Sequence, residues 1–195
     1  MNYNIIGPIC SGKTELSYAL ADNLKIQRIS FDHIKYFYFY KNGYNSLKGK
    51  NLEIENYRKY LDYIEEFEVQ ALEGISKEFK NSIIDLGGGV IRPRKKYKWD
   101  YIKNILNRNS HLILLLPNQN INSSYKILKS RLEKRAPKLN SNTYPYVENH
   151  YVTTRCIINN EILKQMDLIS KSNLQIFYTD LLSQKEIVDS ILQLK

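Results

Sequence analysis

The residues from Gly7 to Thr14 carry the clearest chemistry in this chain. Gly7-Pro8-Ile9-Cys10-Ser11-Gly12-Lys13-Thr14 fits the pattern G-x-x-x-x-G-K-[ST]. Glycines in such a loop let the backbone bend, so that successive N–H groups aim at one anion. A helix starting at the lysine adds its positive end. Lys13 has the reach for β- and γ-phosphates, and the Thr14 hydroxyl suits Mg²⁺. The expected nucleotide contacts are Gly7, Cys10, Ser11, Gly12, Lys13 and Thr14, with ATP and Mg²⁺ as cofactors. A glycine loop without a ligand is the plain alternative. It is disfavoured by the position of the motif between a buried strand and an amphipathic helix.

The remaining candidates decide what happens to a bound nucleotide. Ile83-Ile84-Asp85 ends a short apolar run. A carboxylate there suits the Walker B role beside Thr14, holding Mg²⁺ or its water shell; a cap for the next turn is the alternative. Gly87, Gly88 and Gly89 follow at once and would let a substrate touch bare backbone. Asp32 lies past a second short strand, where a carboxylate can accept a proton from an acceptor hydroxyl or cap the segment 33–40. Arg131 and Arg135 are four apart, on one face of a helix leading into a Pro- and Asn-containing loop. A segment carrying them can close over ATP and stabilise transferring charge, with Arg135 the stronger candidate. Arg92, Arg94, Lys95, Lys96 and Lys98 form a basic run that suits an anionic substrate or a polynucleotide chain. Most such runs are solvated helix starts, and that reading is preferred.

These residues must be positioned by alternating strands and helices, which implies an α/β fold with a parallel sheet. Strand-like runs occur at 2–6, 26–30, 82–86, 111–116 and 174–179, and helical spacing at 13–24, 51–80, 98–108, 122–135, 157–171 and 183–194. The stripe Leu61, Ile64, Phe67, Leu72 and Ile75 marks 51–80 as one or two helices. The result is a three-layer sandwich around a parallel sheet of about five strands. Every strand's carboxyl end then faces one crevice.

A chain of 195 residues suits one domain. Two cysteines, Cys10 and Cys156, make no disulfide framework and favour a reduced, cytoplasmic protein. The opening MNYNIIGP has no basic region and too short an apolar stretch for a signal peptide, and no run approaches a membrane span. His33, His111 and His150 lack ligand spacing, so no zinc site is expected. The net charge of +9 draws anions, nucleic acid among them. A composition rich in Lys, Asn, Ile and Tyr explains that charge better than a dedicated nucleic-acid surface does. Monomer and homodimer both stay open.

Together these residues resemble shikimate kinase and its relatives in the nucleoside-monophosphate-kinase-like group of P-loop kinases. The likeness rests on GPICSGKT, on Asp32 at its distance from Lys13, on the strand and glycines at 82–89, on the arginines at 131–137 and on Tyr178-Thr179 before the last helix. It implies a single P-loop kinase domain over 1–195, with a substrate-binding helical region near 33–80 and a lid near 136–150. It implies that Asp32 and Gly87 to Gly89 meet the acceptor, and that Arg135 reaches ATP. Arg58 and Arg155 stand nearest the family's substrate-gripping arginines. Ser30 replaces the first acid of the family's D-x-D, and Asp85 takes the metal role. The implied activity is ATP-dependent phosphorylation of a small-metabolite hydroxyl. A nucleoside or nucleotide kinase, a polynucleotide 5′-hydroxyl kinase and a non-catalytic ATP-binding protein are the alternatives.

Overall fold

The structure, a computed structural model, describes residues 1–87, 96–106, 110–135 and 174–193. Five strands, β1 (Asn2–Ile6), β2 (Gln27–Ser30), β3 (Ser82–Asp85), β4 (Ser110–Leu116) and β5 (Leu174–Tyr178), form one sheet in the order β2-β3-β1-β4-β5. Every pairing is parallel. The helices are α1 (Lys13–Leu24), α2 (Phe31–Lys41), α3 (Ser46–Glu55), α4 (Tyr57–Glu78), α5 (Lys96–Leu106), α6 (Ile121–Arg135) and α7 (Gln184–Leu192).

A parallel sheet with helices on both faces needs strands that are apolar on both sides. The unbroken run of β4 meets that demand. Leu112, Leu114 and Leu116 enter one core cluster, and Ile113 and Leu115 enter the other. The first cluster packs the sheet against α2, α4, α5 and α6, through Phe31, Phe39, Leu72, Ile75, Ile102 and Leu128. The second packs it against α1 and α7, through Leu16, Leu20, Ile187, Val188 and Ile191. Each fully buried side chain of this size stabilises the fold by about 1.5–3 kcal/mol relative to exposure. The three layers are those expected from the alternating pattern.

The two helix layers lie on opposite faces of the sheet, as the general right-handed rule for parallel crossovers requires when connections run in opposite directions. The chain leaves β1 toward β2 by way of α1, whereas β3 returns across β1 toward β4. The carboxyl end of β1 is therefore where the connections diverge, and a crevice opens there. The motif at 7–14 occupies that point.

One local reading changes and another is resolved. The segment after β2 is helical from Phe31, so Asp32 lies inside the first turn and does not cap it; Ser30 flanks the helix without a side-chain cap bond. The region 51–80 is two helices, the first beginning as early as Ser46. They break at Asn56, whose Oδ1 accepts from the Lys59 amide at 3.0 Å. Such a cap stabilises a helix start by about 1 kcal/mol. The expected lid at 136–150 and the expected helix at 157–171 lie outside the described residues. Among the described residues, no helix is long and apolar enough to cross a membrane.

Candidate functional site

The loop between β1 and α1 takes backbone shapes that its residue types permit. Gly7 has φ +150°, and a Cβ there would lie 2.4 Å from the Leu115 carbonyl oxygen of β4. Only glycine fits so close to a neighbouring strand. Gly12 enters α1 at φ +95°. Cys10 also has a positive φ, 60°, which is uncommon outside glycine and signals local strain.

Inside this loop the polar groups are withdrawn from solvent. Ser11 is fully buried, and its Oγ has no hydrogen-bond partner among the described residues. Lys13 is buried as well, with Nζ donating to the Pro8 carbonyl at 2.7 Å. Burial pushes the Lys13 pKa below the usual lysine value, while Asp85 and Asp32 pull it back up. An unpaired hydroxyl and a desolvated ammonium at a helix start fit a polyanion, and phosphate is that kind of group.

Thr14 and Asp85 come together as their types suggested. The Thr14 hydroxyl donates to Asp85 Oδ2 at 3.1 Å, and the Gly87 amide donates to Asp85 Oδ1 at 3.4 Å. A hydroxyl beside a carboxylate suits Mg²⁺, which takes few protein ligands and completes its shell with phosphate and water. The pair fits that ion.

Sequence reasoning did not single out Arg28. Its Nη2 donates to the same Oδ2 of Asp85 at 3.0 Å, its Nε donates to Ser17 Oγ at 2.5 Å, and its guanidinium lies 4.1 Å from the Tyr18 ring centroid. The signal was present as period-two alternation. Arg28 shares a face of β2 with Ser30, opposite Ile29, and that face looks toward α1.

Asp32 packs on bare backbone. A Cβ at Gly87 would sit 2.5 Å from Asp32 Oδ2, and Gly87 has φ +67°. Asp32 also accepts from Lys35 Nζ at 2.9 Å, and its side chain is 58% exposed. Behind it stands Glu68 on α4, a group the sequence reading passed over. Burial pushes its carboxyl up to about 7; Lys35 opposes the shift, and Asp32 and Glu65 add to it.

Arg131 bridges the far side of the loop, donating to the Cys10 carbonyl at 3.3 Å and to Thr179 Oγ1 at 3.1 Å. Arg135 ends α6 one turn further on and lines the same space. The whole arrangement surrounds a cleft of about 990 Å³, running from Asp32 and Gly87 past Lys13 and Asp85 to Arg131 and Thr179. That volume stands at the upper end for small-ligand sites.

Other expected contacts fall elsewhere. Arg58 sits in the first turn of α4 and is not among the residues lining the cleft. It is ten residues from Glu68, or about 15 Å along the helix axis. Gly88, Gly89, Arg155 and most of the 92–98 basic run lie outside the described residues. Lys98 is neither solvated nor open to a polynucleotide. It is 3% exposed and reaches Glu65 at 3.1 Å and Glu66 at 2.7 Å, tying α5 to α4.

The fold is shared with P-loop kinases of known structure. Shikimate kinase from Acinetobacter baumannii, solved in complex with shikimate, matches with a TM-score of 0.60 and 19% identity over 99% of this chain and 91% of that one. The YorR protein of Bacillus subtilis, solved in complex with phosphorylated GDP, gives 0.56 and 15% identity, over 100% of this chain and 95% of that one. Deoxyadenosine kinase from M. mycoides, solved with the products dCMP and dCDP, gives 0.50 and 15%, over 99% and 97%. At these identities the likeness establishes the fold. A scan against family models and a search of curated proteins returned no match.

Proposed function

We propose that this chain is an ATP-dependent kinase that transfers the γ-phosphate to a hydroxyl of a small acceptor. One observation carries the reading: a phosphate-shaped loop and a carboxylate resting on bare glycine backbone face each other across a single cleft. The structural likeness to shikimate and deoxyadenosine kinases supports the same reading.

Each residue has a role in this scheme. The loop amides of 7–14 hold the phosphate chain, and Lys13 turns from the Pro8 carbonyl to the β- and γ-oxygens. The Ser11 hydroxyl gains the partner that it lacks. Thr14 and Asp85 hold Mg²⁺, which neutralises phosphate charge when bound. Arg131 fixes the wall between loop and β5, and Arg135 approaches the transferring group from the end of α6. Asp32 orients the acceptor hydroxyl and takes its proton as the new P–O bond forms and the bond to ADP breaks. Gly87 leaves room for the acceptor beside that carboxylate. Most of the acceleration is positioning and charge stabilisation, for which one arginine is worth on the order of 10³-fold or more.

The test is ATP consumption with Mg²⁺ against shikimate, sugars and other polyols, nucleosides, nucleoside monophosphates and a 5′-hydroxyl oligonucleotide. Turnover with one acceptor that is lost in Lys13→Ala and in Asp32→Ala supports the reading and names the substrate class. ATP binding without acceptor-dependent turnover would favour a nucleotide-binding protein that does no chemistry.

A further inference from the structure

The cation at Asp85 is already part of the protein. Asp85 Oδ2 accepts from both Arg28 and Thr14, and among the described residues Oδ1 accepts only from the Gly87 amide. The Arg28–Asp85 pair is withdrawn from solvent, with side chains 12% and 6% exposed. Arg28 is also held from three directions: by Asp85, by the Ser17 hydroxyl and by the Tyr18 ring. Ser17 is itself anchored, donating to the Thr14 carbonyl at 2.7 Å. A guanidinium locked this way is no stray surface pair, because its fork is matched at each nitrogen it uses. Both partners line the cleft that contains Lys13.

The consequence is electrostatic. An unpaired carboxylate beside the phosphate loop repels a polyphosphate unless a divalent cation stands between them. Here a fixed positive charge cancels that repulsion before any metal arrives. We propose that Arg28 is a positioning residue that serves as the resident counter-cation of Asp85, so that the cleft accepts a nucleotide polyphosphate with little help from Mg²⁺. Arg28 also occupies the oxygen nearest Thr14, which leaves Oδ1 to meet a metal ion or its water. The inference rests on the nucleotide reading of the cleft. It concerns how the site's charge is balanced, and it needs no acceptor.

The experiment is titration calorimetry of the full chain with ATP, once with excess Mg²⁺ and once with a chelator. The readout is the ratio of the two dissociation constants. The expected ratio for the unsubstituted protein is small. Arg28→Met should raise it by about tenfold or more, since a charge withdrawn from solvent on the wall of the cleft that holds Lys13 is poorly screened. Arg28→Met leaves Asp85 buried without its partner and risks unfolding. Arg28→Met/Asp85→Asn removes both charges, should fold, and should return metal-free binding to near the parent value. A merely structural role for Arg28 predicts equal losses with and without Mg²⁺, and that result would overturn the inference. So would a double variant whose metal-free binding stays as weak as that of Arg28→Met. Failure of the parent protein to bind ATP in either medium would overturn the nucleotide reading itself, and this inference with it.

Discussion

Adding one carbon at Gly87 separates what this cleft does from what holds the chain together. Gly87 has φ +67°, and Gly43, in the turn between α2 and α3, has φ +85°. Alanine at either position must adopt a left-handed conformation, at about 1–2 kcal/mol. At Gly43 a Cβ meets nothing within 4 Å, so backbone strain is the whole effect. At Gly87 the Cβ lands 2.5 Å from Asp32 Oδ2, and the carboxylate must retreat by about 0.9 Å to reach ordinary contact at 3.4 Å. The half-exposed Asp32 side chain can make that movement without unfolding anything. A shift of this size at a reacting group costs up to about 10²-fold in rate. Urea unfolding should therefore show similar losses for Gly43→Ala and Gly87→Ala. Acceptor-dependent turnover should fall by about one to two orders of magnitude in Gly87→Ala alone. Full turnover in Gly87→Ala, or an equal loss in both variants, would refute the placement of Asp32 beside the acceptor.

Further outcomes follow from other parts of the molecule. Lys98→Met removes the buried cation that faces the Glu65 carboxylate and should cost about 3 kcal/mol or more in chemical denaturation, with most of it regained in Lys98→Met/Glu65→Leu; a loss below about 1 kcal/mol would contradict a buried pair. Glu68 has its pKa raised from 4.5 to about 7 in the fold, so the folded state favours its neutral form. Its penalty on stability is absent below pH 4.5 and fully developed above pH 7. Glu68→Gln should accordingly stabilise by about 1–3 kcal/mol at pH 8 and by little at pH 4, and a pH-independent effect would count against the shift. ATP phosphate beside Lys13 would reverse the effect of burial on that amine, so binding at a pH below the usual lysine value of 10.5 should take up protons. Calorimetry in buffers of different ionisation enthalpy measures the uptake, which should vanish in Lys13→Met.

Much of this arrangement is visible along the chain because it is local or periodic. The loop at 7–14 is read from spacing, and β4 from an apolar run that needs both faces covered. Asp85 is found because a charge that ends an apolar strand demands a reason. Arg28 escapes notice because its partner lies 57 residues away, on a strand that becomes a neighbour only in the sheet. Lys98 reads as solvated within a basic run, and only the approach of α5 to α4 buries it. Glu65 and Glu68 look like polar positions of a long amphipathic helix; the packing of α5 on Glu65 and of α2 beside Glu68 is what withdraws them from water. Asp32 shows the finer limit of local reading. Its position past β2 is legible, but its place inside the helix, and not at the cap, depends on Phe31 being drawn into the core.

The central claim is tested most directly by following the phosphate itself. ATP labelled at the γ-phosphate is incubated with Mg²⁺, the protein and the acceptor that best stimulates turnover, and the products are separated. The account predicts label in the acceptor, bonded through its hydroxyl oxygen, with transfer abolished in Lys13→Ala and strongly reduced in Asp32→Asn. Label found only as inorganic phosphate, or transfer undiminished in Asp32→Asn, would contradict it.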